Sequence, residues 1–117
     1  MRRKQTSRVA RQKTRQLDQV LATVQLPQHP RGGWIAAIRQ ALGMNQAQLA
    51  KRMGIARPSL AQLEGNEIRD AATLASLRRA ADALGCDLQY VLIPREPLAE
   101  MVADQARNRA RKKLGRV

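Results

Sequence analysis

The chain has 117 residues, which is the length of one ordinary domain. Lys and Arg number 22 against nine Asp and Glu, a net charge of +13, and this excess predicts a polyanionic partner, usually nucleic acid and less often a membrane surface. The single cysteine excludes a disulfide framework and a cysteine zinc site. An aromatic content of 2% argues against binding by base stacking and against aromatic-platform RNA modules.

The positive charge is concentrated at the two ends of the chain. Residues 1–31 carry a net charge of +7, residues 32–94 carry +2, and residues 95–117 carry +4. We therefore predict a basic N-terminal arm with a helix (1–31), a nearly neutral globular domain (32–94) and a basic C-terminal helix (95–117). No apolar run reaches the roughly 20 residues of a membrane span, and no apolar stretch typical of a secretory signal follows the basic N-terminus. We expect a cytoplasmic, nucleoid-associated protein with no membrane partner.

The N-terminal arm contains one amphipathic pattern. Apolar residues at i, i+3, i+4 and i+7 predict a helix over residues 11–25, and they are Leu17, Val20, Leu21 and Val24. Residues 1–10 are predicted to be a mobile basic tail. Prolines and glycines between residues 27 and 33 predict a linker, in which we expect His29 to be exposed to solvent.

The central domain is predicted to contain four short helices. The first covers residues 34–42, and the second starts at the N-cap Asn45, with Gln48 as capping-box partner, and stops at Gly54. The third begins near Arg57, with Pro58 in its first turn, and ends at Gly65. The fourth covers residues 71–84, with Asp70 as its cap. The positions expected to face the core of the first and last helices are Trp34, Ile35, Ile38, Leu42, Leu74, Leu77, Ala81 and Leu84.

Two further segments follow the central helices. Residues 87–93, with the sequence DLQYVLI, are rich in branched and aromatic side chains, which favours a strand that pairs with a second copy of the chain across a dimer. The alternatives are a short extended tail and a fifth helix packed on the domain. Residues 98–114 predict a helix whose stripe is Leu98, Met101, Val102 and Gln105/Ala106, and whose second half is basic. The fold class is therefore all-α, with a possible short strand.

Residues 45–67 have the pattern of two short helices that cross. A three-residue turn joins them, and their apolar positions require a shared core, as in a helix-turn-helix motif. If Leu60 and Leu63 point inward, the outward stripe of the second helix is Arg57, Pro58, Ala61 and Gln62. Arginine pairs bidentately with guanine and glutamine with adenine. A small residue such as Ala61 permits close approach to the major groove.

Residues 34–94 resemble the lambdoid phage repressor (Xre-type) helix-turn-helix. The motifs that carry the resemblance are Gln46-Ala47-x-Leu49-Ala50…Gly54, Ser59…Leu63-Glu64 and Thr73-Leu74…Ala83-Leu84-Gly85. It implies a five-helix-type repressor domain in which Arg57, Pro58 and Gln62 read bases and Arg39 forms a structural ion pair with Glu64. It also implies contacts with the DNA backbone at Asn45, Gln46, Ser59 and Arg69. We expect further backbone contacts from Lys51, Arg11, Lys13 and Arg15.

The chain departs from this repressor pattern at four positions. Pro58 cannot donate a hydrogen bond to a base, and Ala56 replaces the usual Ser or Thr cap of the recognition helix. Glu67 and Asp70 are expected to place negative charge in the loop that meets phosphate. We therefore expect weak DNA affinity from the central domain, with the basic arms compensating.

The whole chain is similar to the mobile mystery protein A family. The similarity lies in the Arg-rich leader, in GGWIAAIRQALGM (32–44) and in TLASLRRAADALGCDLQYVLIP (73–94). Members are encoded beside a Fic-domain protein, so the similarity implies an antitoxin and autorepressor. Many Fic antitoxins carry Ser/Thr-x-x-x-Glu-Gly/Asn, but the spacing from Ser59 to Glu64 is one residue too long for that motif. If a toxin is bound, the amphipathic end helices are the better candidates.

The function predicted from these patterns is sequence-specific, double-stranded DNA binding by a transcription regulator. We expect a homodimer on a palindromic operator, with a Fic-type toxin as a further partner. Two alternatives stay open: a protein-binding antitoxin, and a small nucleoid- or RNA-binding basic protein without sequence-specific repression. The scattered carboxylates, the lone His29 and the lone Cys86 offer no catalytic or metal-binding set, so we expect neither an enzyme nor a cofactor.

Overall fold

The computed structural model describes residues 2–115, which form six α-helices and no strand. The helices are α1 (Arg2–Leu21), α2 (Trp34–Ala41), α3 (Gln46–Met53), α4 (Arg57–Ile68), α5 (Leu74–Ala83) and α6 (Leu98–Leu114). The all-α prediction is confirmed. The chain divides into two compact units. The four-helix unit comprises residues 27–90 with α2–α5, and the terminal unit comprises α1, α6 and their adjoining segments up to residue 26 and from residue 91.

The core of the four-helix unit is built mainly where α3 and α4 meet. Leu49 of α3 and Leu60 of α4 are completely buried, and burying one such side chain contributes about 1.5–3 kcal/mol. Around them lie the other buried apolar residues, Ile35, Met44, Ala50, Leu63, Ala80 and Leu84. Cys86 is half-buried and packs against this core as a small apolar residue. The first and last predicted helices place their apolar side chains less deeply than expected, since Leu42 is 54% exposed and Leu74 is 44% exposed.

Helix α3 has the ends that its sequence predicts. The side chain of Asn45 accepts a hydrogen bond from the backbone N–H of Gln48 at 2.8 Å, and the side chain of Gln48 accepts from the N–H of Asn45 at 2.8 Å. This confirms the capping box. Gly54 ends the helix with φ of 69°, a left-handed conformation that glycine adopts without steric cost.

Helix α4 continues past Gly65, so the predicted end at that glycine is wrong. The helix ends at Ile68, and the turn after it places Asp70 at φ of 57°. The last turn of α4 stays helical because the buried Glu67 is hydrogen-bonded to the start of α2. Asp70 is therefore not the cap of α5, which begins at Leu74 rather than at residue 71. Its cap is Thr73, whose hydroxyl accepts a hydrogen bond from the N–H of Ser76 at 3.0 Å.

Residues 86–94 are irregular, so the described chain does not form the strand predicted over 87–93. A strand requires a partner for its backbone donors and acceptors, and residues 2–115 supply none. Leu92 is 86% exposed, and Tyr90 and Ile93 are also exposed.

The terminal unit begins with a longer helix than the sequence predicts. Helix α1 starts at Arg2 instead of residue 11 and ends at Leu21 instead of residue 25. Residues 2–10, predicted to be a mobile tail, are helical because no Gly or Pro interrupts residues 2–21. After the helix, the hydroxyl of Thr23 donates to the carbonyl of Val20 at 2.9 Å. Met1 and residues 116–117, which belong to the predicted arms, lie outside the described residues.

Helix α6 has the predicted bounds and packs against α1. The half-buried positions are Leu98, Met101 and Asp104 on α6, and Thr14, Asp18 and Leu21 on α1. The predicted stripes were partly wrong, since Val20 is 62% exposed and Val102 is also exposed. Polar side chains occupy part of the contact because Asp18 accepts hydrogen bonds from the backbone N–H groups of Leu98 at 2.7 Å and Ala99 at 3.1 Å.

Candidate nucleic-acid interface

A tight turn joins α3 to α4. The N–H of Gly54 donates to the carbonyl of Lys51 at 3.1 Å, and the N–H of Ile55 donates to the carbonyl of Ala50 at 3.0 Å. Ile55 then packs against the core. This pattern of bonds ends α3 and reverses the chain within three residues, which is what brings Leu49 and Leu60 into one core.

Helix α4 separates its buried residues from its exposed ones along two faces. Leu60, Leu63 and Glu64 are buried. The four predicted base-reading residues are all exposed, and so is Ser59 between them: Arg57, Pro58, Ala61 and Gln62. The N-cap residue before the helix is Ala56, which has extended backbone and makes no side-chain cap, and Pro58 lies in the first turn. The exposed face of α4 therefore combines one cation, one amide, one hydroxyl and two small apolar groups.

A buried ion pair joins α2 to α4. The guanidinium of Arg39 donates from Nε to Oε2 of Glu64 at 2.8 Å and from Nη2 to Oε1 at 3.2 Å. Its Nη1 donates to the carbonyl of Met44 at 3.0 Å. Arg39 is 8% exposed and Glu64 is 6% exposed, so each charge depends on the other for compensation.

Gln46 connects this pair to the start of α3. Its Nε2 donates to Oε1 of Glu64 at 3.0 Å, and the side chain is half-buried. The first backbone bond of α3 comes from the N–H of Leu49, which donates to Asn45 at 3.3 Å. The N–H groups of Gln46 and Ala47 precede it and have no acceptor within the helix. Groups of this kind at a helix N-terminus attract anions.

Residues 35–91 match the family model described as Helix-turn-helix. This segment is a helix-turn-helix domain. No curated protein and no solved structure matches the chain at a significant level. The match begins in α2 and runs past α5, so the helix-turn-helix domain includes the ion pair and the exposed face of α4. Domains of this kind are DNA-binding modules of transcription regulators.

The other predicted backbone contacts of the helix-turn-helix domain are at its surface. Lys51 and Asn45 are exposed, although the side-chain oxygen of Asn45 already accepts the cap hydrogen bond. Arg69 is exposed, and its Nη2 donates to the side-chain oxygen of Asn66 at 2.7 Å. In the terminal unit, Arg11, Lys13 and Arg15 are exposed on α1.

Glu67 has a role in the helix-turn-helix domain that sequence reasoning missed. It was expected in a loop facing phosphate, but it is buried in α4. Its carboxylate accepts hydrogen bonds from the N–H groups of Trp34 at 2.7 Å and Ile35 at 3.0 Å, so it caps α2 from another helix. The exposed ring of His29 lies beside it, with Nε2 3.3 Å from Oε2. One signal was available: α2 begins after Gly33, a residue that cannot supply a side-chain cap.

The described residues contain no group of three or more His, Cys, Asp or Glu side chains that could hold a metal ion. Each of the helices in residues 2–115 is also too short or too polar to cross a membrane.

Proposed function

We propose that the protein is a sequence-specific, double-stranded DNA-binding transcription regulator. The observation that carries this proposal is the exposed face of α4, which presents Arg57, Ala61 and Gln62 to solvent while Leu60 and Leu63 are buried. A recognition helix must fix one face to its own domain and present the other to the major groove. The family match over residues 35–91 supports this assignment of the helix.

The side chains of the exposed face suit the edges of bases. Arg57 at the first turn of α4 is proposed to bind guanine O6 and N7, and Gln62 is proposed to bind adenine N6 and N7. Pro58 offers an apolar surface for a thymine methyl group. Ala61 lets the helix approach the groove closely because its side chain is a single methyl group.

The proposed backbone contacts surround this face. The N–H groups at the start of α3 would donate hydrogen bonds to one phosphate, and Gln46 holds that end of α3 against α4 through Glu64. Ser59, Lys51, Asn45 and Arg69 are proposed to contact neighbouring phosphates. Their exposure supports the proposal.

We also propose that the protein binds as a homodimer to a palindrome with half-sites about 10–10.5 bp apart. The segment 87–93 is the candidate for pairing with a second copy. Its exposed apolar side chains, Tyr90, Leu92 and Ile93, support this, as does the lack of a strand partner within the described chain. A dimer would satisfy backbone groups that a monomer leaves to water.

The proposed biological role is an antitoxin and autorepressor paired with a Fic-type toxin. The support is the similarity to the mobile mystery protein A family. Glu64 is buried and bound to Arg39, so it is not available to block a toxin's nucleotide site. The amphipathic helices α1 and α6 are the better candidates for toxin contact. Co-purification of the chain with the product of the adjacent reading frame tests this role, and recovery of the chain alone would contradict it.

The DNA proposal is tested by selecting bound sequences from a random duplex pool and then measuring affinity for the selected operator. Arg57→Ala should weaken operator binding by roughly 1–3 kcal/mol and relax the preference at one base position. Arg57→Lys keeps the charge but loses the bidentate fork, so it should lose the same preference. The matched control is Arg79→Ala, which removes an exposed cation from α5. The proposal is wrong if Arg57→Ala weakens binding to the operator and to random duplexes equally. It is also wrong if footprinting shows a protected region that contains no palindrome.

A further inference from the structure

The two basic ends of the chain belong to the same structural unit. Helix α1 carries Arg8, Arg11 and Arg15, and the second half of α6 carries five further cations: Arg107, Arg109, Arg111, Lys112 and Lys113. The carboxylate of Asp18 accepts hydrogen bonds from the first two N–H groups of α6. Helix α6 therefore starts beside Asp18.

From Asp18, helix α6 must run back toward the N-terminal half of α1. The half-buried stripe of α6, from Leu98 to Asp104, is roughly 9 Å long at 1.5 Å per residue. Only three residues of α1 follow Asp18, a length of about 4.5 Å. On the other side, Thr14 is half-buried one turn before Asp18. The two helices are therefore antiparallel, which brings the cations of α6 next to those of α1.

Helical periodicity places these cations on the two sides of the contact between the helices, except for Lys112, which falls on the contact line. Each residue of an α-helix is rotated by about 100° from the one before it. On α1, the line of contact with α6 runs through Thr14, Asp18 and Leu21. Arg8, Arg11 and Arg15 form a stripe that is rotated from this line in the direction in which the chain turns, which we call the positive sense. On α6, Arg109 and Lys113 are displaced in the same sense from the contact line through Leu98, Met101 and Asp104. When two helices are antiparallel, stripes that are rotated in the same sense from their contact lines lie on the same side of the helix pair.

Among the acidic residues of the described parts of the two helices, Asp18 alone borders this side, about 20° from Arg11 around the helix. Asp18 and Asp104 are on the contact lines, where Asp18 caps α6 and Asp104 forms an ion pair with Arg107. The same periodicity places Glu100 on the opposite side, together with Lys13, Arg107 and Arg111. Within the described parts of α1 and α6, one side thus carries five cations and no carboxylate.

We propose that this side, formed by Arg8, Arg11, Arg15, Arg109 and Lys113, is a second DNA-binding surface that contacts the phosphate backbone. Arg8, Arg11 and Arg15 line an open cleft of about 350 Å³ together with Gln12, and guanidinium groups bind phosphate oxygens bidentately. The surface has no aromatic or amide pattern for reading bases, so it adds affinity without sequence preference. The choice of duplex DNA as the polyanion rests on the proposed function.

The test compares two double variants of the full chain that lose equal charge from the same helix. Arg109→Gln with Lys113→Gln removes cations from the proposed surface, and Arg107→Gln with Arg111→Gln removes them from the opposite side. Binding to a random-sequence duplex is measured as a function of salt concentration. The first pair should lower the slope of log K against log salt by about two and weaken binding roughly tenfold to thirtyfold near physiological salt. The second pair should leave the slope nearly unchanged.

Equal losses for the two pairs, or an unchanged slope for the first, would overturn the proposal. Loss of binding to phosphatidylserine vesicles without loss of duplex binding would also overturn it and would favour a membrane surface. Within α1, Arg11→Gln should also weaken binding to the random duplex and lower the slope by about one. Thermal unfolding verifies that each variant is folded.

The result for the second surface can be distinguished from the result for the proposed function. The ratio of operator affinity to random-duplex affinity should stay constant in all of these variants, whereas Arg57→Ala should change that ratio. If the chain shows no sequence preference, the proposed function fails, and the comparison on random duplex still decides the second surface.

Discussion

Glu67 occupies the space that a side chain on Gly33 would need. A Cβ atom at Gly33 would lie 2.8 Å from Oε1 and 2.9 Å from Cδ of Glu67. The same carboxylate accepts hydrogen bonds from the backbone N–H groups of Trp34 and Ile35. Because Gly33 has no side chain, the last turn of α4 can cap α2 directly, and this fixes the orientation of one helix of the helix-turn-helix domain against another.

Gly33→Ala should destabilise the four-helix unit by about 3–5 kcal/mol. The φ of 93° with ψ of 161° strains any residue with a side chain, at about 1–3 kcal/mol. Moving Glu67 also breaks one of its two hydrogen bonds to Trp34 and Ile35, and a hydrogen bond to a charged acceptor is worth about 1.5–3 kcal/mol. Urea unfolding followed by the fluorescence of Trp34, which lies in this unit, measures the change.

The matched control is Gly32→Ala. Gly32 also has a positive φ, of 84°, but nothing lies within 4 Å of its Cβ position. It should cost only the backbone strain, about 1–2 kcal/mol. Equal costs at the two glycines would show that the contact with Glu67 does not stabilise the fold.

Arg39→Ala should destabilise the domain by about 3–5 kcal/mol, because it leaves the buried carboxylate of Glu64 without its partner. The double variant Arg39→Met with Glu64→Leu should recover a large part of this loss, since it removes both charges. The same urea experiment measures both, with the exposed Arg79→Ala as control, expected within about 0.5 kcal/mol of the parent chain. A cost below about 1 kcal/mol for Arg39→Ala would contradict the role of the pair.

Gly65→Ala should stabilise the domain by about 0.5–1 kcal/mol, the usual gain when alanine replaces glycine inside a helix. The nearest atom to the added Cβ is Nη1 of Arg69 at 3.2 Å, and this exposed side chain can move. Thermal unfolding checks the sign. A destabilisation of more than about 1 kcal/mol would show that Arg69 cannot move away from the added methyl group.

Asp18→Ala should loosen the start of α6. The change removes the acceptor of the N–H groups of Leu98 and Ala99, and loss of a cap costs about 0.5–2 kcal/mol. Amide hydrogen exchange at these two residues should become faster. The urea unfolding of the four-helix unit, followed by the fluorescence of Trp34, should stay the same. The control is Asp104→Ala, which removes a partly exposed ion pair with Arg107 and should have little effect on exchange at Leu98. Unchanged exchange at Leu98 would exclude Asp18 as the cap.

Short-range patterns in the sequence were sufficient for several parts of the fold. The capping box of Asn45 and Gln48, the left-handed Gly54 and the bounds of α6 all depend on residues within a few positions of one another. The exposed face of α4 followed from the same reasoning, because placing Leu60 and Leu63 inside leaves Arg57 and Gln62 outside.

Local patterns failed where a partner lies far away in the chain. A glycine such as Gly65 is typical of a helix end, yet α4 continues past it. The reason is that Glu67 accepts hydrogen bonds from the backbone N–H groups of Trp34 and Ile35, which lie more than 30 residues earlier. Residues 87–93 have the composition of a strand but stay irregular, because a strand forms only beside another strand.

The sequence by itself determined the helical class, the two basic ends and the residues that α4 presents to solvent, since charge and helical periodicity are properties of neighbouring residues. Only the tertiary structure decided which carboxylates cap another helix, and which cations of α1 and α6 lie on the same side of that helix pair. Asp18 meets Leu98 across 80 residues, and Glu67 meets Trp34 across 33. Contacts at such separations arise from packing, and no local pattern encodes them.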